Sequence, residues 1–287
     1  EFFGLDTGVD SDHPDLNVVE IHTFLTGDNS GGEDGHGHGT HTAGTAAAID
    51  GGPAVGVVGV APGAKIHGFK VCTDGGSCPT DAIIAGVDAV TARKNASFGT
   101  PMVANMSLGG GVSQSIDQAV RKSVAAGVVY TLSAGNGVFG FCFFPADAQN
   151  ASPARVGDDD ITASGGSSGD TRRVNGAITT TSSGQTDGDV NCNFGNPVTV
   201  ASPGNGIKST WLNGGYNTIS GTSMAAPHSA GAVILVLQGN PGWTPTQVEQ
   251  AIVNDLDNWT TNDLPNADGR LDARCLGTGS PSCQGNN

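Results

Sequence analysis

Three short segments of this 287-residue chain contain residue types that together can carry out acyl transfer. Asp6 closes an apolar run near the start of the chain, His38 lies among glycines in the second segment, and Ser223 lies in the third. A serine hydroxyl is a weak nucleophile until a base removes its proton. Imidazole is the usual base, and a buried carboxylate can fix its tautomer. The three residues therefore indicate nucleophilic catalysis if the fold brings them together.

Each segment also has a plainer interpretation. Asp6 precedes Thr-Gly and is typical of a turn, and Ser223 is typical of a helix N-cap. Three histidines, His36, His38 and His41, would allow a metal-dependent hydrolase. However, the His-Glu-x-x-His pattern is absent, and no carboxylate stands at helical spacing on the same face. We therefore interpret His36 and His41 as orienting or surface residues.

Short apolar runs alternate with helical patterns along the chain, which is typical of βαβ units and a parallel sheet. The predicted strands are Phe2–Leu5, Lys65–Val71, Met102–Met106, Val128–Leu132 and Val198–Ala201. The predicted helices are Thr80–Arg93, Ser115–Ala126 and Thr244–Leu256. We interpret the Ser- and Gly-rich stretch Ser152–Asn193 as surface loops around one short strand.

The apolar run Gly231–Leu237 follows Ser223 and predicts a further helix, with Ser223 at or near its N-terminus. Free main-chain N–H groups and the helix dipole can stabilise negative charge there. Asp6 ends a predicted parallel strand, and the carboxyl ends of such strands are where α/β folds place their sites.

Composition excludes several classes of partner. The chain has 27 acidic residues against 12 Lys and Arg, a formal net charge of −15, which repels nucleic-acid backbones and anionic lipid. The longest apolar run, Ala232–Leu237, is too short to cross a membrane. The start of the chain has no signal-peptide pattern, so we expect a processed or truncated form if the protein is secreted.

Six cysteines form no Cys-x-x-Cys pair and no zinc-site spacing. Local spacing favours the disulfides Cys72–Cys78 and Cys275–Cys283, which leaves Cys142–Cys192. Six reduced cysteines in the core are the alternative. Disulfides, 46 glycines and a low charged fraction of 14% suit a secreted, loop-rich protein.

In combination, these segments resemble the subtilisin-like serine proteases along nearly the whole chain. Asp6-Thr7-Gly8-Val9-Asp10 is similar to the aspartate motif of that family, His38-Gly39-Thr40-His41 to its histidine motif, and Gly221-Thr222-Ser223-Met224-Ala225-Ala226-Pro227-His228 to its serine motif. The resemblance implies an α/β fold with a doubly wound, mostly parallel central sheet flanked by helices. It implies one peptidase domain over residues 1–287, with a short disulfide-pinned C-terminal tail from about residue 275.

The resemblance further implies a secreted serine endopeptidase that hydrolyses proteins through an acyl-enzyme. Ser223 would be the nucleophile, His38 the general base and then acid, and Asp6 the orienting carboxylate. Asn136 ends a segment similar to that of the family's oxyanion-hole asparagine, so its side chain would stabilise the tetrahedral intermediate. A catalytically silent relative that acts as a binding module is the alternative from a different class.

An extended substrate would add a strand along the segment that follows Met106. The substrate-binding residues implied on that strand edge and in the first specificity pocket are Ser107, Leu108, Gly109, Ala134 and Gly135. The phenylalanine-rich segment 137–150 would either shape a pocket for large apolar side chains or form a loop stapled by Cys142.

Asp15 falls on a calcium-ligand position of the family, and Asp50 is a second candidate; both could instead simply solvate the surface. Calcium takes six to eight oxygen ligands, so further donors would be needed. No organic cofactor is implied. We expect protein or peptide substrates, no nucleic-acid or membrane partner, a monomer, extracellular localisation and a propeptide in the precursor.

Overall fold

One parallel sheet organises the molecule. The structure, a computed structural model, describes residues 1–51, 56–138, 142, 144–158, 175–184 and 192–254. The strands of its main sheet are β1 (Phe2–Asp6), β2 (Val18–Thr23), β3 (Ile66–Lys70), β4 (Val103–Met106), β5 (Val129–Ser133), β6 (Ala177–Ser183) and β7 (Val198–Pro203). Their order is β2-β3-β1-β4-β5-β6-β7, and all six pairings are parallel. A separate antiparallel hairpin consists of β8 (Ile207–Trp211) and β9 (Gly215–Ile219).

Helices cover both faces of this sheet. They are α1 (His38–Ala47), α2 (Thr80–Ala96), α3 (Gln114–Ala125), α4 (Thr222–Gly239) and α5 (Pro245–Asn254). Side chains of α1, α4 and α5 share one apolar cluster, and side chains of α2 and α3 share the other. Because consecutive side chains of a strand point to opposite faces, Phe2 enters the first cluster and Phe3 the second. The predicted doubly wound α/β fold is confirmed.

The five predicted strands and three predicted helices are present, with most ends shifted by one to three residues. The last two residues of the predicted helix Thr244–Leu256 lie outside the described residues. Ser113 caps the N-terminus of helix α3, because its side chain accepts a hydrogen bond from the N–H of Ile116. Gly127 follows that helix with φ +103, a conformation that favours glycine. Among the described helices, none is long and apolar enough to span a membrane.

The structure confirms one strand within Ser152–Asn193, but the prediction that surface loops surround it is wrong for the part that the structure describes, which is mostly buried. Strand β6 has seven residues, all buried, and pairs with β5 and β7. Its Thr- and Ser-rich sequence looks solvent-exposed, but the hydroxyls find internal partners. Thr180 donates to Ser229 and Thr181 to the carbonyl of Asn193. Buried hydroxyls that are hydrogen-bonded in this way are compatible with a core strand.

Two of the three predicted disulfides are confirmed, Cys72–Cys78 and Cys142–Cys192. The alternative of reduced core cysteines is therefore wrong for these four residues. The third predicted pair, Cys275–Cys283, and the predicted tail lie outside the described residues.

Candidate active site

The ends of neighbouring elements carry the four predicted catalytic residues to one cleft. Asp6 is the last residue of β1, and Asn136 follows the end of β5. His38 is the first residue of α1, and Ser223 is the second residue of α4. All four line a cleft of about 660 Å³ at the carboxyl edge of the sheet. The same cleft is bordered by four predicted substrate-binding residues, Ser107, Leu108, Gly109 and Gly135.

Asp6 and His38 are in direct contact. The Nδ1 atom of His38 lies 2.7 Å from Oδ1 of Asp6, and the side chains are 22% and 3% exposed, respectively. Since the carboxylate can only accept, Nδ1 carries the proton and Nε2 is left as the base. Burial lowers the pKa of His38, but the charge and hydrogen bond of Asp6 oppose it, so that the net pKa is raised above 6.5.

A buried carboxylate that the sequence analysis missed holds the start of α1. Asp34 accepts hydrogen bonds from the N–H groups of His36, Gly37 and Thr40, all at 2.9 Å, and from two hydroxyls, those of Thr7 and Thr40. Burial raises the pKa of Asp34, but these hydrogen bonds outweigh it and the net pKa lies below 3.8. Asp34 therefore fixes the first turn, in which His38 stands.

Close backbone contact explains one glycine of the histidine segment. A Cβ atom on Gly39 would lie 2.1 Å from the carbonyl oxygen of Gly8. The N–H of Gly39 also donates to the hydroxyl of Thr7 at 2.9 Å. Helix α1 thus lies directly against the residues that follow Asp6, which is how the histidine reaches the carboxylate.

Ser223 stands in the first turn of α4, where main-chain N–H groups lack intrahelical acceptors. Gly221, the residue before the helix, has φ +144, a conformation that favours glycine. The Ser223 hydroxyl donates to the main-chain carbonyl of Ser107 at 3.1 Å. In this state the hydroxyl is directed at the Ser107 carbonyl rather than at His38.

The Asn136 side chain is oriented by the neighbour of Ser223. Its Oδ1 accepts from the main-chain N–H and the hydroxyl of Thr222, each at 2.9 Å. A main-chain N–H can only donate, so the amide oxygen must face Thr222 and the NH₂ group is left for other acceptors. Asn136 lines the cleft, as a donor to a developing oxyanion must.

The predicted substrate-binding residues take different positions. Gly109 is exposed at the cleft, whereas Leu108 is 8% exposed and its side chain packs in the core under α2 and α3. Ala134 is fully buried beneath the cleft wall. Next along the segment, Gly110 forms an antiparallel bridge with Ser152, with N···O distances of 3.1 and 3.2 Å.

The described part of the phenylalanine-rich segment lies beside the cleft and is stapled. Val138 lines the cleft, is 67% exposed and donates from its N–H to the carbonyl of Phe144. Cys142 is bonded to Cys192, and the neighbouring Asn193 accepts from the N–H of Gly137 at 2.9 Å. The predicted staple by Cys142 is confirmed. A pocket for large apolar side chains stays a prediction, because Phe139, Phe141 and Phe143 lie outside the described residues.

The histidines do not converge as a metal site. His36 is exposed at the cleft, while His41 is buried with Nε2 at 3.0 Å from the carbonyl oxygen of Ile207. Burial lowers the pKa of His41 to about 4. Across the described residues, no group of three or more His, Cys, Asp or Glu side chains could hold a metal ion.

Within the described part of the chain, neither calcium candidate belongs to a cluster of carboxylates. Asp15 is 4% exposed, and its Oδ2 accepts from the Tyr216 hydroxyl at 2.6 Å and the Val57 N–H at 3.3 Å. Asp50 is exposed and adjoins residues outside the described part of the chain. An ion at Asp15 would have to displace the Tyr216 hydrogen bond or use the other carboxylate oxygen together with main-chain carbonyls.

Comparison with known proteins agrees with this fold. A sequence model of the Subtilase family matches residues 5–275. Alkaline serine exoprotease A of Vibrio alginolyticus is 41% identical over 87% of this chain and 40% of its own length. Cuticle-degrading protease of Metarhizium anisopliae is 37% identical over 82% of this chain and 53% of its own length. This chain thus spans about half or less of the length of these two relatives.

A shorter relative and two solved structures match more completely. Subtilisin Savinase of Lederbergia lenta is 34% identical over 87% of this chain and 80% of its own length. A cold adapted subtilisin-like serine proteinase superposes with a TM-score of 0.75 at 35% identity, covering 94% of this chain and 86% of that one. Sphericase gives a TM-score of 0.74 at 29% identity, with the same coverage.

The doubly wound sheet, with its cleft at the carboxyl edge, defines a subtilisin-like α/β protein. The chain belongs to the Subtilase family, whose sequence model covers nearly all of it.

Proposed function

We propose that this chain is a serine endopeptidase that uses Ser223, His38 and Asp6 as its catalytic triad. The observation that carries the proposal is the 2.7 Å contact between His38 Nδ1 and Asp6 Oδ1, beside a serine at a helix N-terminus in the same cleft. The relatives named as proteases support the same activity.

The chemistry follows from which atoms hold protons. Ser223 Oγ bonds to the substrate carbonyl carbon while its proton passes to His38 Nε2, and Asp6 stabilises the resulting imidazolium. Asn136 and the Ser223 N–H donate to the oxyanion. The intermediate then breaks its C–N bond, and the leaving amine takes the proton from His38. Water then attacks the carbonyl carbon of the acyl-enzyme and gives a proton to His38. The ester bond to Ser223 breaks, and Ser223 Oγ takes that proton back from His38.

The Ser223 hydroxyl has to turn before the first step. It donates to the Ser107 carbonyl at 3.1 Å, so this hydrogen bond has to break before the proton can pass to His38. An extended peptide that pairs with the main chain of Ser107 and Gly109 would itself compete for that carbonyl. We therefore infer that substrate binding helps to release the hydroxyl towards the base.

The test uses covalent labelling together with proteolysis. The protein treated with a sulfonyl fluoride is expected to carry one adduct on Ser223 and to stop digesting casein. The Ser223→Ala variant is expected to carry no adduct and to digest no casein even without the reagent. Ser220→Ala is a matched control, because Ser220 is exposed three positions earlier and bonds only to neighbours outside the cleft. A folded protein with no adduct and no turnover would favour the alternative of a silent binding module.

Extracellular localisation, a monomeric state and a precursor with a propeptide belong to the same proposal. The two disulfides support an oxidising compartment. Fractionation of a producing culture tests the localisation, and light scattering tests the monomer.

A structural calcium ion at Asp15, with Asp50 as a further ligand, remains a proposal. An excess of chelator is expected to lower Tm, with recovery on adding calcium, and activity should be lost only through unfolding. An unchanged melting curve would count against bound calcium. Immediate loss of activity at unchanged Tm would instead favour a catalytic metal.

A further inference from the structure

The nucleophile helix contains a proline at a position that removes one of its own hydrogen bonds. In an α-helix the N–H of residue i+4 donates to the carbonyl of residue i, and Pro227 stands four residues after Ser223 within α4. Proline has no N–H, so the Ser223 carbonyl has no donor from the helix at this position. A carbonyl this close to the reactive hydroxyl needs another donor, because a buried unpaired acceptor is costly.

The hydroxyl of Ser107 supplies that donor. Its Oγ lies 2.7 Å from the main-chain oxygen of Ser223, although the two residues are 116 positions apart in sequence. Ser107 is 3% exposed, so water does not compete freely for this contact. A hydroxyl has a single proton, and here an oxygen that can only accept determines its direction.

A buried series of hydrogen bonds also fixes the orientation of the Ser107 hydroxyl. With its proton on Ser223, Ser107 Oγ must act as acceptor towards Asn105, whose Nδ2 lies 2.9 Å away. The Oδ1 of Asn105 then faces Thr131, whose hydroxyl donates to it at 3.0 Å. Asn105 and Thr131 are both fully buried in neighbouring strands β4 and β5. The Ser107 hydroxyl, the Asn105 amide nitrogen and the Thr131 hydroxyl each donate to an acceptor, which leaves one consistent orientation for this series of hydrogen bonds.

We propose that the Ser107 hydroxyl is a positioning group for the nucleophile, replacing the helix hydrogen bond that Pro227 cannot make. It fixes the peptide unit between Ser223 and Met224, and through the Cα atom of Ser223 it restrains the Cα–Cβ direction of the nucleophile. A second bond runs the other way, from Ser223 Oγ to the Ser107 carbonyl. The inference rests on the proposed function, because it concerns the same nucleophile.

The proposed positioning role predicts an effect of the Ser107 side chain on kcat but little effect on KM. A substrate strand would pair with main-chain groups of the Ser107 segment, which remain when the side chain is shortened. Ser107→Ala is therefore expected to lower kcat about tenfold with little change in KM, the size of effect expected for an unpaired buried carbonyl. Ser107→Thr keeps a hydroxyl and is expected to recover part of the loss.

A double-mutant cycle with Pro227→Ala tests the idea directly. Alanine at 227 restores an N–H that can donate to the Ser223 carbonyl, so removing the Ser107 hydroxyl should then matter less. We expect Ser107→Ala to lower kcat about tenfold with proline at 227 and less than about twofold with alanine there. An equal loss in both backgrounds would overturn the proposal.

The matched control is Ser229→Ala in the same helix. Ser229 is fully buried and its hydroxyl contacts Thr180 and Ser202, away from the cleft. It is expected to lower Tm by the same amount in both backgrounds, with no change in kcat per folded molecule. If Ser107→Ala alone fails to fold, the readout becomes whether the double variant with Pro227→Ala folds, as shown by a cooperative melting transition. Recovery of folding by Pro227→Ala supports the proposal, and failure of the double variant to fold contradicts it.

The proposed function is tested separately in the parent protein. Labelling of Ser223 and turnover there establish the protease, whatever the cycle gives. Loss of labelling in the parent would reject the protease assignment, whereas normal labelling with an additive cycle would reject only the role of Ser107.

Discussion

Thr222 donates twice to the side-chain oxygen of Asn136, from its main-chain N–H and from its hydroxyl, each at 2.9 Å. The residue next to the nucleophile thereby determines which end of the Asn136 amide is available in the cleft. Because the Asn136 amide is oriented before substrate binds, no free energy is needed to orient it during the reaction. Such preorganised donors are the basis of electrostatic stabilisation of an oxyanion.

Replacement of Asn136 by alanine should remove one oxyanion donor. We expect kcat to fall by about 10²–10³ with little change in KM, a magnitude known from the equivalent donor of a subtilisin, a relative of this chain. Steady-state kinetics on a peptide substrate measure this. Asn240→Ala, at the far end of α4, is the control and should leave kcat unchanged. A loss confined to KM would contradict the oxyanion role.

Replacement of Asp6 by asparagine should change both the rate and its pH dependence. In the parent protein the base must be neutral, so activity declines as pH falls through the raised pKa of His38. Without the Asp6 charge the effect of burial dominates, and the pKa of His38 falls. We expect the acid midpoint of kcat/KM to move to lower pH, with a loss in kcat of about 10⁴.

Rate profiles of the Asp6→Asn variant against pH check both parts of this prediction. The exposed Asp88 on α2 provides a control, because Asp88→Asn removes the same charge far from His38. An acid midpoint that stays in place or moves to higher pH would show that Asp6 does not set the pKa of the base.

We expect the contribution of Asp34 to the free energy of unfolding to depend on pH. Its carboxylate has a lowered folded-state pKa, so its contribution is fully present above the unfolded value of 3.8 and is lost as pH falls through the folded-state value. Asp34→Asn should lower the free energy of unfolding at neutral pH by about 2–4 kcal/mol, since an amide cannot accept all five hydrogen bonds.

Denaturant unfolding at a series of pH values measures this contribution. The difference between the parent and Asp34→Asn should narrow below pH 3.8, where the parent carboxylate also becomes protonated. A difference that stays constant into strong acid would mean that the charge of Asp34 is not what stabilises the turn. Asp88→Asn again serves as the surface control.

The two disulfides should contribute unequally to stability. Cys142–Cys192 closes a loop with a sequence separation of 50, and Cys72–Cys78 one of 6. In the chain-entropy account, removal of each pair by double alanine substitution should cost about 4 and about 2 kcal/mol, respectively. Denaturant unfolding of both double variants tests the order. A reversed order would indicate that the short loop at the cleft stabilises by contacts rather than by chain entropy.

Local patterns in the sequence were sufficient for five of the seven strands of the main sheet, three helices, two disulfides and the choice of Asp6, His38 and Ser223 as candidates. Most of these features depend on neighbours in the chain, such as short apolar runs, helical patterns and the close spacing of Cys72 and Cys78. Family resemblance added the catalytic role of each of these three candidates and the assignment of Asn136 as an oxyanion donor. The buried strand β6 was misread because its hydroxyl-rich sequence resembles a loop until distant partners such as Ser229 are present.

Tertiary structure alone decided how the site is supported. Asp34 could have been noticed as a capping carboxylate four positions before His38, but its bond to Thr7 depends on the packing of α1 against β1. The contacts of Asn136 with Thr222 and of Ser107 with Ser223 span 86 and 116 residues. The physical reason is that a hydrogen bond depends on distance and direction in space, and a one-dimensional pattern specifies neither for residues so far apart.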